Sequence, residues 1–128
     1  MLCAIVMLFL LSSCGKMTVN PPEWALNGEP EYVTEWPENR FTADIPKPEA
    51  GEVDYVVDYS AGGRYEIVMK NIPRAASNAY LRQLCEAGFT DEAAGSGNVS
   101  MGTLLRRGNV VLSVAASGEG MVMLITIE

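Results

Sequence analysis

The sequence contains no histidine, three cysteines, and nine basic side chains against sixteen acidic ones. Without histidine it lacks the most common transition-metal ligand and the side chain that most often transfers protons near neutral pH. The formal net charge of −7 argues against nucleic acid as a partner, because phosphate binding requires clustered Lys and Arg. We therefore expect a noncatalytic protein with no metal and no organic cofactor.

The longest apolar run, Leu2 to Leu11, is too short to cross a membrane. Ten helical residues span ~15 Å, whereas the hydrocarbon core of a bilayer is about 30 Å thick. The length matches the apolar region of a signal peptide. A signal peptide normally begins with basic residues, and none precedes this run; a start further upstream would account for the difference. An ordinary secretory signal and a buried first helix are the alternatives.

The apolar run ends in a motif that resembles the lipobox of bacterial lipoproteins, Leu11-Ser12-Ser13-Cys14-Gly15. The resemblance implies that residues 1–13 are a lipoprotein signal peptide and that Cys14 becomes the mature N-terminus. There it would carry a diacylglyceryl thioether, with or without an N-acyl chain such as palmitate. Two or three acyl chains hold a protein at a membrane essentially permanently. We expect an extracytoplasmic protein anchored to the cell membrane, or to the outer membrane in a Gram-negative source.

The third cysteine, Cys85, would be the only free thiol of the mature chain, because Cys3 leaves with the signal peptide and Cys14 is lipidated. No intramolecular disulfide is then possible. A catalytic thiol needs a basic neighbour such as histidine, which this chain lacks. Since Cys85 lies at helical spacing from Leu81 and Leu84, we predict a buried, unreactive side chain.

Composition divides the mature chain into a tether and one domain. Residues 14–35 comprise the lipidated cysteine and a predicted flexible tether, because several Pro and Gly residues interrupt any regular period. Residues 36–128 form the predicted domain, which is long enough for a single core without metals or disulfides. We expect this domain to be monomeric.

Hydrophobic periodicity predicts the order ββαβββ. Alternation over 52–59 and 65–70 predicts a hairpin whose three-residue loop places Tyr59 opposite Tyr65. Residues 73–89 form a predicted amphipathic helix whose apolar stripe is Ala76, Tyr80, Leu81, Leu84 and Cys85. Three further strands are predicted at about 99–106, 110–117 and 121–127, with turns at Gly108-Asn109 and Glu119-Gly120. The fold class is α+β, a two-layer sandwich with one helix on a five-stranded, mainly antiparallel sheet.

The predicted registers of the last three strands follow from these turns. Leu105 would lie opposite Leu112, and Val114 opposite Ile125. The face away from the helix then carries a candidate partner-binding surface, which consists of Leu104, Val111, Val122 and Leu124. One helix cannot cover both faces of a sheet, so either the Trp36–Phe41 segment covers this surface or a partner does. We expect the segment to cover it, because large exposed apolar patches are uncommon.

An acidic strand is the other candidate site. Glu52, Asp54 and Asp58 would share one strand face. A spacing of ~6.6 Å per two residues is too wide for them to hold one cation without other segments. A solvated strand face is the preferred interpretation.

Three short motifs stand out in the predicted domain, namely Trp36-Pro37, Pro46-Lys47-Pro48, and the helix end formed by Tyr80, Cys85, Gly88, Phe89 and Thr90, which leads into the C-terminal strands. Together they resemble a family of small, uncharacterised lipoproteins of Gram-positive gut bacteria that contain a domain of unknown function. The resemblance implies a compact α/β domain on a lipid tether and no known catalytic or binding residue.

The expected function is that of a noncatalytic envelope lipoprotein that binds a protein, a peptide or a cell-wall component. A small accessory or inhibitor domain is an alternative by analogy with other two-layer α/β folds. A histidine-free hydrolase is the third. A pocket with converging carboxylates and a shifted pKa would favour the hydrolase, whereas a flat apolar sheet face would favour binding.

Overall fold

The computed structural model describes residues 28–92 and 102–128, which form one α-helix and a seven-stranded antiparallel sheet. The strands and helix, in chain order, are β1 (Pro30–Glu31), β2 (Glu52–Tyr59), β3 (Arg64–Lys70), α1 (Arg74–Glu86), β4 (Thr90–Asp91), β5 (Thr103–Arg107), β6 (Val110–Ser117) and β7 (Gly120–Ile127). The sheet order is β1-β2-β3-β7-β6-β5-β4. The predicted signal peptide, Cys14 and most of the predicted tether lie outside the described residues.

The predicted α+β class with one helix is confirmed, but the five-stranded ββαβββ order is wrong. The five long strands are present, and β1 and β4 add a two-residue strand at each edge of the sheet. Two residues are too few to show the alternation that identifies a strand in a sequence. The first predicted residues of the third strand, 99–101, lie outside the described residues, and β5 begins at Thr103.

The predicted register of the first hairpin is wrong by one residue. Tyr59 pairs with Arg64, not with Tyr65. The loop is longer than expected because a 3₁₀ turn over Ser60–Gly62 is followed by Gly63 with a φ of 73°, a left-handed conformation that favours glycine. A one-residue shift moves side chains to the opposite face of the sheet.

A β-bulge near Asp54 interrupts the alternation of β2, so that residues after it point to the opposite face from the one that alternation from Val53 would give. The register shifts between Val53 and Tyr55. Val53 and Val56 therefore face the same side as α1, where both are buried. Three alternating side chains that were predicted to point the same way as Val53 point to the other side, namely Tyr55, Val57 and Tyr59.

Helix α1 spans most of the predicted helical segment, and Gly88 with a φ of 104° follows its end. Its buried side chains are Ser77, Tyr80, Leu81 and Leu84. Cys85 is exposed, so the prediction of a buried thiol is wrong. Each residue advances the helix by about 100°, so Cys85 lies about 40° beyond Leu81, further from the centre of the buried stripe and towards solvent.

The three-stranded meander of β5, β6 and β7 confirms the first predicted register, with Leu105 opposite Leu112. The second turn consists of Gly118-Glu119, one residue earlier than predicted, and Val114 pairs with Met123 instead of Ile125. Gly118 has a φ of 59°, as two-residue hairpin turns require. The resulting register differs by two residues, which leaves every side chain on its predicted face.

The segment from Trp36 to Pro46 lies on the same side of the sheet as α1. The ring of Phe41 stacks on that of Tyr65, with centroids 5.5 Å apart and planes inclined by 15°. The hydroxyl of Tyr80 in α1 donates a hydrogen bond of 2.7 Å to the carbonyl of Pro46. The prediction that Trp36–Phe41 covers the opposite face is therefore wrong, because Phe41 is buried in the core on the helix side and Trp36 packs against that core.

Candidate functional site

The sheet face opposite α1, called the open face below, carries alternate side chains of the five long strands. Strand pairing assigns to it Tyr55, Val57, Tyr59, Arg64, Glu66, Val68, Lys70, Leu104, Arg106, Val111, Ser113, Ala115, Val122, Leu124 and Thr126. Leu104 and Val122 are 42% and 39% exposed. The third large apolar side chain that is exposed in the described ranges, Tyr32, contacts the ring of Tyr55 at the edge of this face.

The structure brings the four residues of the predicted partner-binding surface together on the open face. Leu124 of β7 pairs with Ser113 of β6, which in turn pairs with Leu104 of β5. Val111 and Val122 lie in the rows on either side of that row, on β6 and β7. Partners on adjacent strands lie about 5 Å apart, so the four side chains lie within one area of the open face. Their binding role stays a prediction.

A cluster of three tyrosines and one glutamate lies at the β1–β2–β3 end of the open face. This tyrosine–glutamate cluster consists of Tyr32, Tyr55, Tyr59 and Glu66. Glu66 is paired with Val57, and the two tyrosines of β2 lie two residues before and after Val57 on the same face. Tyr32 and Tyr55 have ring centroids 5.5 Å apart. The cluster was missed from the sequence because the predicted hairpin register placed its β2 tyrosines on the core side.

Glu66 is a half-buried carboxylate among apolar and aromatic neighbours. Its strand partners are Val57 on one side and Leu124 on the other. Loss of solvent contact raises the pKa of Glu66. The pKa values of Tyr55 and Tyr59 are raised first by burial and then by the negative charge of Glu66. The carboxylate and both phenol rings therefore share one local electrostatic environment.

The cationic side chains of the open face are bonded to acceptors other than Glu66. Arg64 donates to the carbonyl of Gly62 at 2.9 Å, and Lys70 lies 3.8 Å from Asp54. Arg106 contacts the carboxylates of Glu92 and Glu128 at 2.6 and 2.7 Å. Among residues 28–92 and 102–128, the ion pairs do not include Glu66. Its charge lies in an aromatic setting that would suit an added cation.

The three acidic residues of β2 do not form a site, and the prediction that they share a face is wrong. Glu52 accepts a hydrogen bond of 2.8 Å from Asn71, whereas Asp54 at the bulge faces Lys70. Asp58 accepts 2.8 Å from the backbone N–H of Ser60, and its hydrogen bonds with Ser60 lower the pKa of Asp58. In the described part of the chain, no group of three or more potential ligands could hold a metal ion.

Comparisons with known proteins find no related sequence or fold. No family model matches the chain, and no curated protein and no solved structure matches it. Within the two described ranges, no helix has both the length and the apolar character needed to cross a bilayer.

Proposed function

We propose that this protein is a noncatalytic lipoprotein of the cell envelope, held at the membrane through Cys14, which presents its open face to a partner. The observation that carries the proposal is the motif ending the apolar run, Leu11-Ser12-Ser13-Cys14-Gly15. Small residues before the cysteine leave the backbone accessible to a signal peptidase, and the run is short enough for a signal peptide. The expected location is extracytoplasmic, on the cell membrane or on a Gram-negative outer membrane.

The contacts of Gly28, a residue of the predicted tether, place it at the edge of the open face. Gly28 lies against the ring of Tyr59, where a Cβ would overlap the aromatic carbons. The proposed tether therefore joins the domain beside β1, at the edge of the open face.

The composition of the open face supports a binding role. Tyr32, Leu104 and Val122 are large, exposed and apolar, and contiguous surfaces of this kind mark interaction sites in soluble domains. A protein, a peptide or a cell-wall component is the proposed partner class. We also propose membership of the Gram-positive lipoprotein family that the motifs around Trp36 and Tyr80 resemble.

The substitution Cys14→Ser tests the anchor. In the native host, we expect the unchanged chain to incorporate labelled palmitate and to occur in the membrane fraction, with an intact mass of a chain that starts at an acylated Cys14. The variant should lose the label and the membrane association, since it lacks the thiol that receives the lipid. Cys85→Ser is the matched control and should keep both, because its exposed thiol lies in the folded domain. An unacylated native chain that still starts at Met1 would refute the anchor.

A further inference from the structure

We propose that the tyrosine–glutamate cluster binds the ammonium group of a lysine side chain supplied by a partner protein. The inference rests on the proposed function, because it assigns a chemistry to the partner of the open face. The cluster contains one carboxylate and three aromatic rings, Glu66 with Tyr32, Tyr55 and Tyr59. Carboxylates and phenol rings are the groups that recognise ammonium ions in proteins, through charge-assisted hydrogen bonds and cation–π contacts.

Strand geometry groups the side chains of the cluster around Val57. Val57 is only 5% exposed, so its neighbours cover it, and Glu66 lies directly across the strand pair. Tyr55 and Tyr59 lie ~6.6 Å from Val57 on either side along β2, and Tyr32 packs on Tyr55 at the outer edge of the cluster. A cation at the solvent side of Glu66 would be within reach of the carboxylate and of the rings of Tyr55 and Tyr59, since cation–π contacts extend to about 6 Å.

Charge complementarity indicates a cation as the occupant. Partial burial of the Glu66 carboxylate disfavours its charged form, as the raised pKa shows. A lysine ammonium would favour that charged form again. The cations on the same face, Arg64, Lys70 and Arg106, are each bonded to another acceptor. The complementary charge can therefore come from outside the described residues.

The apolar side chains of the open face beside the cluster indicate that the cation belongs to a protein. Leu124 of β7 is the strand partner of Glu66. Val122 lies two residues from Leu124 on β7, and Leu104 lies two strands further on, in the row that Leu124 shares with Ser113; Val122 and Leu104 are both exposed. The methylene groups of lysine pack on apolar surface while the charged end reaches a polar group. A small free cation would leave Leu104 and Val122 uncovered, whereas a protein segment that carries the lysine would cover them as well.

The test uses the full chain in detergent micelles and two capped amino acids, Nα-acetyl-lysine N-methylamide and its norleucine counterpart. NMR signals of the Tyr55 and Tyr59 rings report binding. We expect saturable shifts with the lysine probe and at least about fivefold weaker binding of norleucine, which lacks the charge. Glu66→Gln and Tyr55→Leu should each weaken lysine binding by at least about fivefold. Glu119→Gln, in the exposed β6–β7 turn, is the matched control and should leave it unchanged.

Several results would overturn the proposal. One is a folded protein whose tyrosine signals do not respond to lysine, and another is equal affinity for the two probes or for the Glu66→Gln variant. NMR signals of open-face residues that depend on protein concentration would show that a second copy of this chain occupies the open face. If the Lys16→Gln substitution changes the NMR signals of the Tyr55 and Tyr59 rings without any probe, the occupant of the cluster is the chain's own lysine. Each measurement is independent of acylation, so a failed anchor and a failed lysine site can be distinguished.

Discussion

The two faces of the sheet are both largely apolar, yet they have different roles in the molecule. On the side of α1, the central residues are fully excluded from solvent, namely Ile67, Leu105, Leu112, Val114, Met123 and Ile125. On the open face, Leu104 and Val122 remain exposed. Apolar character alone therefore does not identify the core. The difference comes from α1 and the Trp36–Pro46 segment, which both pack on one side.

The largest expected effect comes from two adjacent leucines of β5 that point to opposite faces. Leu105→Ala should lower the free energy of unfolding by about 3 kcal/mol, because it creates a cavity at a position with 0% exposure. Leu104→Ala removes the same atoms from a side chain that is 42% exposed and should cost less than about 1 kcal/mol. Urea denaturation measures both. Equal losses would show that the open face is covered in solution.

A smaller effect is expected from the hydrogen bond that holds the covering segment to the helix. Tyr80→Phe removes the donor to the carbonyl of Pro46 and should cost about 1–2 kcal/mol near neutral pH. Tyr32→Phe, at an exposed position beside the open face, is the matched control and should change stability by less than about 0.5 kcal/mol. If both variants lose the same amount, the covering segment does not depend on this bond.

The contribution of the Tyr80 hydroxyl to the free energy of unfolding should also depend on pH. Burial raises the pKa of Tyr80 above the ordinary value of 10.0, so the folded state favours the neutral phenol. This contribution to stability is fully present below pH 10 and is lost as the pH rises through the higher pKa of the folded state. Denaturation of the parent and of Tyr80→Phe across pH 8–11 should show their difference shrinking on the alkaline side. A constant difference would contradict the assignment.

The smallest expected effect is a gain in stability on the helix side. The hydroxyl of Ser77 is buried and has no hydrogen-bond partner among the described residues. Ser77→Ala should therefore raise the free energy of unfolding by about 1 kcal/mol, from removal of an unsatisfied polar group and from higher helix propensity. Ser113→Ala, half-buried on the open face, should change it by less than about 0.5 kcal/mol. A lower free energy of unfolding in Ser77→Ala would indicate that the Ser77 hydroxyl has a hydrogen-bond partner in solution.

Local sequence patterns predicted the helix and most of the long strands, and the errors in the predicted registers also have local causes. The Gly108-Asn109 turn was sufficient to predict the pairing of Leu105 with Leu112, because a two-residue loop sets the register of its strands. Between β2 and β3, the four residues that separate Tyr59 from Arg64 adopt a 3₁₀ turn followed by Gly63. No residue pattern distinguished this loop from a three-residue one.

The candidate site was predictable only in part, for the same reason. Alternation along β5, β6 and β7 placed Leu104 and Val122 on one face even though one register was two residues off. The tyrosine–glutamate cluster depends on the one-residue shift in the register of β2 with β3 and on the bulge near Asp54. Together these two features place Tyr55 and Tyr59 on the face opposite to the predicted one. Tyr32 joins the cluster through a two-residue strand, which is too short to leave a periodic signal.

The sequence by itself determined the periods, the turns and the lipobox-like motif, because each depends on residues within a few positions of one another. Only the tertiary structure decided which apolar face became the core. That choice depends on contacts between distant segments, such as Phe41 on Tyr65 and Tyr80 with Pro46. Burial of one face by the only helix of the described residues left the other exposed, since a single helix and one short segment have enough apolar surface to cover one side.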